Sequence, residues 1–148
     1  MIILSQQNPT WGDARIGNSG ITLARYGCTI TGISMLSDYF GKWVAPDFIA
    51  SKDWFTKDGL IIWSKINLSK MAFEKRLYGR NDAEILESVN HPDKAVLLQV
   101  QNYHWVVCLG KIPFTNQYRI ADPWFGDKST TLRYKGFITG SAHFVRKP

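Results

Sequence analysis

The sequence predicts an α+β fold in which an N-terminal helix packs on an antiparallel sheet. Three observations point there. Apolar residues recur at helical spacing between positions 29 and 40, and segments rich in β-branched and aromatic residues crowd the chain after Ala95. Helical segments come first and strands later, whereas a parallel doubly wound sheet would alternate them. A length of 148 residues fits one domain, 1–148, and suffices to bury a core. Hydrophobic residues at 45% and aromatics at 14%, six of them tryptophan, exclude a disordered chain.

Residues 2–6 read as a short strand that Asn8-Pro9 breaks, and residues 8–20 are rich in turn formers. From Thr29, the side chains of Ile30, Ile33, Leu36, Tyr39 and Phe40 share one side of a helix that Gly41 ends. Residues 46–50 form the first turn of a short helix, where Pro46 is accepted because its missing N–H would be unpaired anyway. Residues 60–66 are expected to add another. The span 81–90 is a clearer helix, with Asn81 or Asp82 as cap, Ile85, Leu86 and Val89 as apolar side and His91-Pro92 as terminator. Strands follow at 95–100, 104–110 and 117–122, with weaker ones at 130–134 and 142–145. No repeat or linker interrupts the chain.

A net charge of +6 and a pI of about 9.4 raise attraction to nucleic acid, anionic membranes or anionic wall polymers. No basic run exceeds two, as in Lys75-Arg76 and Arg146-Lys147, so a solvated basic surface is expected and no nucleic-acid site. Met1-Ile2-Ile3-Leu4-Ser5 lacks the basic and long apolar regions of a secretory signal, and the apolar stretches 95–100 and 105–109 are too short to span a bilayer. A soluble chain without signal peptide or membrane span is the expectation, its compartment left open. Two cysteines make no disulfide framework.

Cys28 carries the strongest chemical signal. Gly27-Cys28 opens the first long helix, where unpaired backbone N–H groups and the positive end of the macrodipole favour thiolate over thiol. The competing reading is a small buried hydrophobe. A thiol nucleophile needs a base, and His104, at the start of a strand, is the best placed of three histidines. His91 before a proline and His143 near the C-terminus lack a comparable setting.

A hairpin centred on Pro113 sets His104 opposite Asp122, Val106 opposite Ile120 and Cys108 opposite Tyr118. Opposed Cβ atoms lie about 5 Å apart, which suits a carboxylate orienting an imidazole. A slip of one residue would send the two side chains to opposite faces. Cys108 falls about 13 Å along the strand from His104 and reads as core. That separation also weakens a zinc site, and neither a metal nor an organic cofactor is expected. The Cys28 backbone N–H can donate to an oxyanion. Gln6 is the candidate for a second donor, with Gln7 as the alternative.

Together these residues resemble papain-like cysteine peptidases, especially the branch related to bacteriocin-processing peptidases that cut after double-glycine leaders. The similar pieces run in order: Gln6-Gln7-Asn8-Pro9-Thr10-Trp11, then Gly27-Cys28 with Thr31 and Met35, then Asp58-Gly59-Leu60 with Trp63. His104-Trp105-Val106-Val107 with Gly110 and Tyr118-Arg119-Ile120-Ala121-Asp122-Pro123 with Gly126 complete the set. Each piece is weakly specific, and the ordered combination across nearly the whole chain carries the resemblance. Transporter domains like those of the bacteriocin exporters are missing, and Gly32 stands where a small hydroxyl residue is common.

The resemblance implies a papain-like fold with Cys28 as nucleophile, His104 as base and acid, Asp122 as orienter and Gln6 in the oxyanion hole. The implied activity is that of a cysteine peptidase or related amide hydrolase acting on a peptide, a peptidoglycan peptide or a protein precursor. An acyltransferase on the same fold is one alternative. A non-catalytic module, binding wall material or sitting within a larger assembly, is the alternative from another class.

Overall fold

Helices α1 (Leu23–Tyr26), α2 (Cys28–Tyr39) and α3 (Pro46–Ala50) precede strand β1 (Met71–Tyr78) and helix α4 (Asp82–Val89) in a computed structural model that describes residues 1–148. Strands β2 (Lys94–Val100), β3 (His104–Lys111), β4 (Tyr118–Asp122), β5 (Asp127–Thr130) and β6 (Ile138–Arg146) follow. They form one antiparallel sheet in the order β1-β6-β2-β3-β4-β5, so the last strand inserts between the first and second. The class is α+β, as expected. No helix is long and apolar enough to cross a membrane.

α2 starts at Cys28, and Gly41 just beyond it takes φ +102°, a conformation open to a residue without Cβ. The helix is buried on several sides, because the sheet, α1 and α3 all pack against it. Each fully buried side chain such as Ile33 or Leu36 stabilises by about 2 kcal/mol. Gly32 faces the sheet, where an added Cβ would come within 3.0 Å of the Leu97 side chain, so glycine lets the helix sit close. On its other side Ser34 Oγ donates to the Val44 carbonyl at 2.6 Å, and Ser37 Oγ accepts from the Val44 N–H at 2.8 Å. Tyr39, expected on the buried side, is exposed.

Strand alternation divides the core. Ala95, Leu97, Trp105, Val107, Ala121 and Phe144 face α2, while Val96, Leu98, Val106, Cys108, Ile120 and Ile138 join Ile85 of α4 on the other face. Cys108 is core, as expected, and burial pushes its thiol up to about 12.

Several sequence expectations need correction. Residues 2–6 are not a strand: Leu4 packs into the core, but the backbone bonds singly, Ile2 N–H to the Asp38 carboxylate and Gln6 N–H to the Pro123 carbonyl. Residues 60–66 yield only a 3-10 turn, Trp63–Lys65, because Ile61 bridges to Phe55. The expected strand at 130–134 is a second 3-10 turn, Thr131–Tyr134, whose cap Thr130 accepts from the Leu132 N–H through its side chain. Pairing with β4 uses the residues just before it. Asn81 precedes α4 but spends its amide on the Tyr78 carbonyl and makes no side-chain cap. β1 was not anticipated. A register shift between Phe73 and Lys75 breaks its alternation, and its charged residues suit an edge strand.

Candidate active site

The register of β3 against β4 decides where His104 and Asp122 point. Near the loop, Gly110 pairs with Arg119 and Lys111 with Tyr118; beyond a bulge, Cys108 pairs with Ile120 and Val107 with Ala121. The expected pairing of Cys108 with Tyr118 is therefore off by two residues, and His104 does not lie directly opposite Asp122. An even slip preserves the face, so the two remain diagonal neighbours on one side of the sheet. The bulge is what makes the slip even. Had the loop-end register continued, Asp122 would have paired with Val107 and turned toward α2. Gly110, at φ +149°, allows the extra residue.

The outcome is a direct bond: His104 Nε2 lies 2.8 Å from Asp122 Oδ1, with Asp122 fully buried and His104 nearly so. Four donors surround the carboxylate. Oδ1 also accepts from the Trp124 N–H at 3.0 Å, while Oδ2 accepts from Arg133 Nη1 at 3.0 Å and from the Tyr134 hydroxyl. Arg133 is itself fixed by two bonds to Asp127 at 2.8 and 2.9 Å. Burial opposes ionisation of Asp122, but the bonds from His104, Tyr134 and Arg133 outweigh it and hold the pKa at about 2. Sequence reasoning missed Arg133 and Tyr134. The 3-10 turn, taken for a strand, is what carries them to Asp122.

Cys28 opens α2 on the opposite face, and it meets His104 over the end of the sheet, where both line a pocket of about 400 Å³. Gly27 sets that position. A Cβ there would stand 2.5 Å from the Leu23 carbonyl oxygen, so only glycine lets α1 run directly into α2. Burial pulls the His104 ring down, but the bond to Asp122 and then the neighbouring Cys28 thiol override it and raise the pKa to about 9. With Nε2 held by Asp122, Nδ1 is the nitrogen left to face the thiol.

His104 also enters its strand from a tight loop. Gln101 and Asn102 hold φ +53° and +67°, each costing about 1 kcal/mol for a residue with a Cβ. Hydrogen bonds from the Gln101 N–H to the Phe137 carbonyl (3.0 Å) and from the Asn102 N–H to Thr139 Oγ1 (3.1 Å) hold the loop there.

Gln6 lines the same pocket and is 1% exposed, which separates it from Gln7, whose exposed side chain reaches the Trp124 carbonyl outside. Gln6 Nε2 donates to the Ala24 and Leu23 carbonyls at 3.2 and 3.4 Å, and its Oε1 is buried without a partner. The N-terminal segment is tied to the Asp122-Pro123 turn: Gln6 N–H donates to the Pro123 carbonyl at 2.8 Å, and Gly126 at φ +67° packs where a Cβ would meet Ser5 at 2.8 Å. Exposed Tyr26, Tyr103, Trp124 and Phe125 rim the opening.

The other histidines stand apart. His143 is fully buried between Ser88 Oγ and Ser141 Oγ at 2.6 and 2.8 Å, and burial lowers its pKa. His91 is exposed and accepts the Asp93 N–H at 3.0 Å. Compared with known proteins, the chain matches no family model, no curated protein and no solved structure.

Proposed function

We propose that the chain is a cysteine peptidase or related amide hydrolase, papain-like in arrangement, that works through a thioester on Cys28. One observation carries the reading: Cys28 shares a pocket with an imidazole whose far nitrogen is locked by a buried, four-fold hydrogen-bonded carboxylate. A histidine serving only to pack needs no such second layer. Orientation of a base by a third group is the general pattern of activated nucleophiles.

In the proposed reaction the thiol proton already rests on His104 Nδ1 at neutral pH, and Cys28 Sγ attacks the amide carbon. The developing oxyanion is met by the Cys28 N–H at the start of α2 and by the Gln6 carboxamide. Turning toward that oxygen, Gln6 exchanges two long bonds for a charge-assisted one. His104 then gives its proton to the leaving nitrogen as the C–N bond breaks. The raised pKa of the ring keeps that proton available at neutral pH. Water attacks the thioester with His104 again as base, releasing the acid and restoring the thiol.

Mass spectrometry of a peptide library incubated with the protein tests the reading. Cleavage is expected with the native chain and not with Cys28→Ala, and iodoacetamide is expected to label Cys28 at least tenfold faster than it does in His104→Ala, on the order of what a paired base contributes. No cleavage together with equal labelling rates would overturn it.

A further inference from the structure

The pocket at Cys28 continues into a second arm. A groove of about 600 Å³ shares Tyr26, Cys28 and Tyr103 with the first pocket and extends past Ile30, Trp63 and Trp105. Arg76 of β1 reaches into it. Its guanidinium lies 4.8 Å from the centre of the Trp105 ring and 4.1 Å from that of Tyr78, with the Trp105 ring backed in turn by Trp63 at 5.0 Å. Nη2 donates to Gln99 Oε1 at 3.1 Å and Nη1 to the Leu77 carbonyl.

Arg80, Arg133 and Arg146 each hold a carboxylate; Arg15, Arg25 and Arg119 hold none but are exposed, whereas Arg76 is half-buried and still holds none. Asp58 lines the same groove without pairing to it. Burial lowers the pKa of Arg76, the direction expected when a cation loses water and gains no counter-charge. Guanidinium has five N–H donors in a planar fork suited to carboxylate, and the contacts within the chain engage only two of its nitrogens. The stacking explains how the group is aimed. It leaves the charge uncompensated in a groove that Cys28 also lines.

We propose that Arg76 binds a carboxylate side chain on the acyl half of a peptide substrate. The choice of half rests on the peptidase reading: His104 lines the first pocket and not this groove, and the amine it protonates must depart on its side. The groove therefore receives the other half. A charge-assisted, stacked contact of this kind favours the acid over its amide by about tenfold or more.

The test is binding to Cys28→Ala protein, read by fluorescence anisotropy with labelled alanine peptides bearing one Asp, one Asn or one Lys at each position in turn. At one position Asp is expected to bind about tenfold tighter than Asn. Arg76→Gln removes that difference, and Arg76→Glu reverses it in favour of Lys. Gln99→Glu supplies the same answer if the arginine variants fail to fold, because it sets a carboxylate on Nη2 without changing shape. Absence of an Asp preference, or its survival in both Arg76→Gln and Gln99→Glu, overturns the proposal. Cleavage without an acidic preference would leave the peptidase reading standing and remove this one. An Asp preference dependent on Arg76 in a protein that cleaves nothing would keep the carboxylate site and sink the peptidase.

Discussion

Replacing Asp122 by asparagine keeps the shape and removes one charge and one acceptor. The buried carboxylate faces donors on both oxygens: His104 Nε2 and the Trp124 N–H on one, Arg133 and the Tyr134 hydroxyl on the other. Whichever way the carboxamide turns, its NH₂ meets donors. Turned toward His104, it forces the proton onto Nδ1, the nitrogen that on the peptidase reading receives the Cys28 proton. The drop of Asp122 from 3.8 to about 2 corresponds to about 2 kcal/mol of preference for the ionised form. An unmatched buried donor adds about 1 kcal/mol or more. A loss of about 3 kcal/mol lowers the urea midpoint at pH 7 by about 1.5 M, for a slope of about 2 kcal/mol per M.

The pH dependence carries its own sign. A carboxyl whose folded pKa is depressed stabilises fully above 3.8, and that contribution is lost as pH falls through about 2. Asp122→Asn is expected to flatten this part of the acid limb. Urea titrations from pH 7 to pH 2 on both proteins measure it, alongside the labelling rate of Cys28. A variant with an unchanged midpoint at pH 7, or with the full acid limb of the parent, would refute the four-donor account.

His104 is raised from 6.5 to about 9, so its stabilising contribution is complete below 6.5 and disappears as pH rises through about 9. On the proposed peptidase reading the same deprotonation removes the acid that serves the leaving amine, so kcat/KM on a peptide amide should fall with an apparent pKa near 9; a limb near 6.5 contradicts the pairing. Gly27→Ala drives a methyl into the Leu23 carbonyl and should cost about 2 kcal/mol, seen as a lower Tm and slower labelling of Cys28, and an unaltered Tm would show that α1 and α2 can part.

Local signals were legible where one element satisfied itself. The Gly41 stop, Pro46 at a first helical position and the periodicity of α4 each act within a turn or two of chain, and α2, α3 and α4 appear where those signals place them. The strands at Ala95, His104 and Ala142 were likewise readable from β-branched and aromatic runs. β1 was not, because its charged residues and the shift at Glu74 reflect an edge position that only the assembled sheet creates. Gly110 within a strand was the available signal of a bulge, and it bears on the register more than the midpoint at Pro113 does.

The sequence by itself placed Cys28 at the start of a helix, His104 at the start of a strand and Asp122 at the end of another, since short-range sterics and capping settle such positions. Tertiary structure alone decided that a bulge would restore the common face of His104 and Asp122. It also brought Arg133 and Tyr134 onto the carboxylate and left Arg76 without a counter-ion in a groove that Cys28 also lines. Those outcomes depend on strand pairing and burial between residues far apart in the chain, and no local preference specifies either.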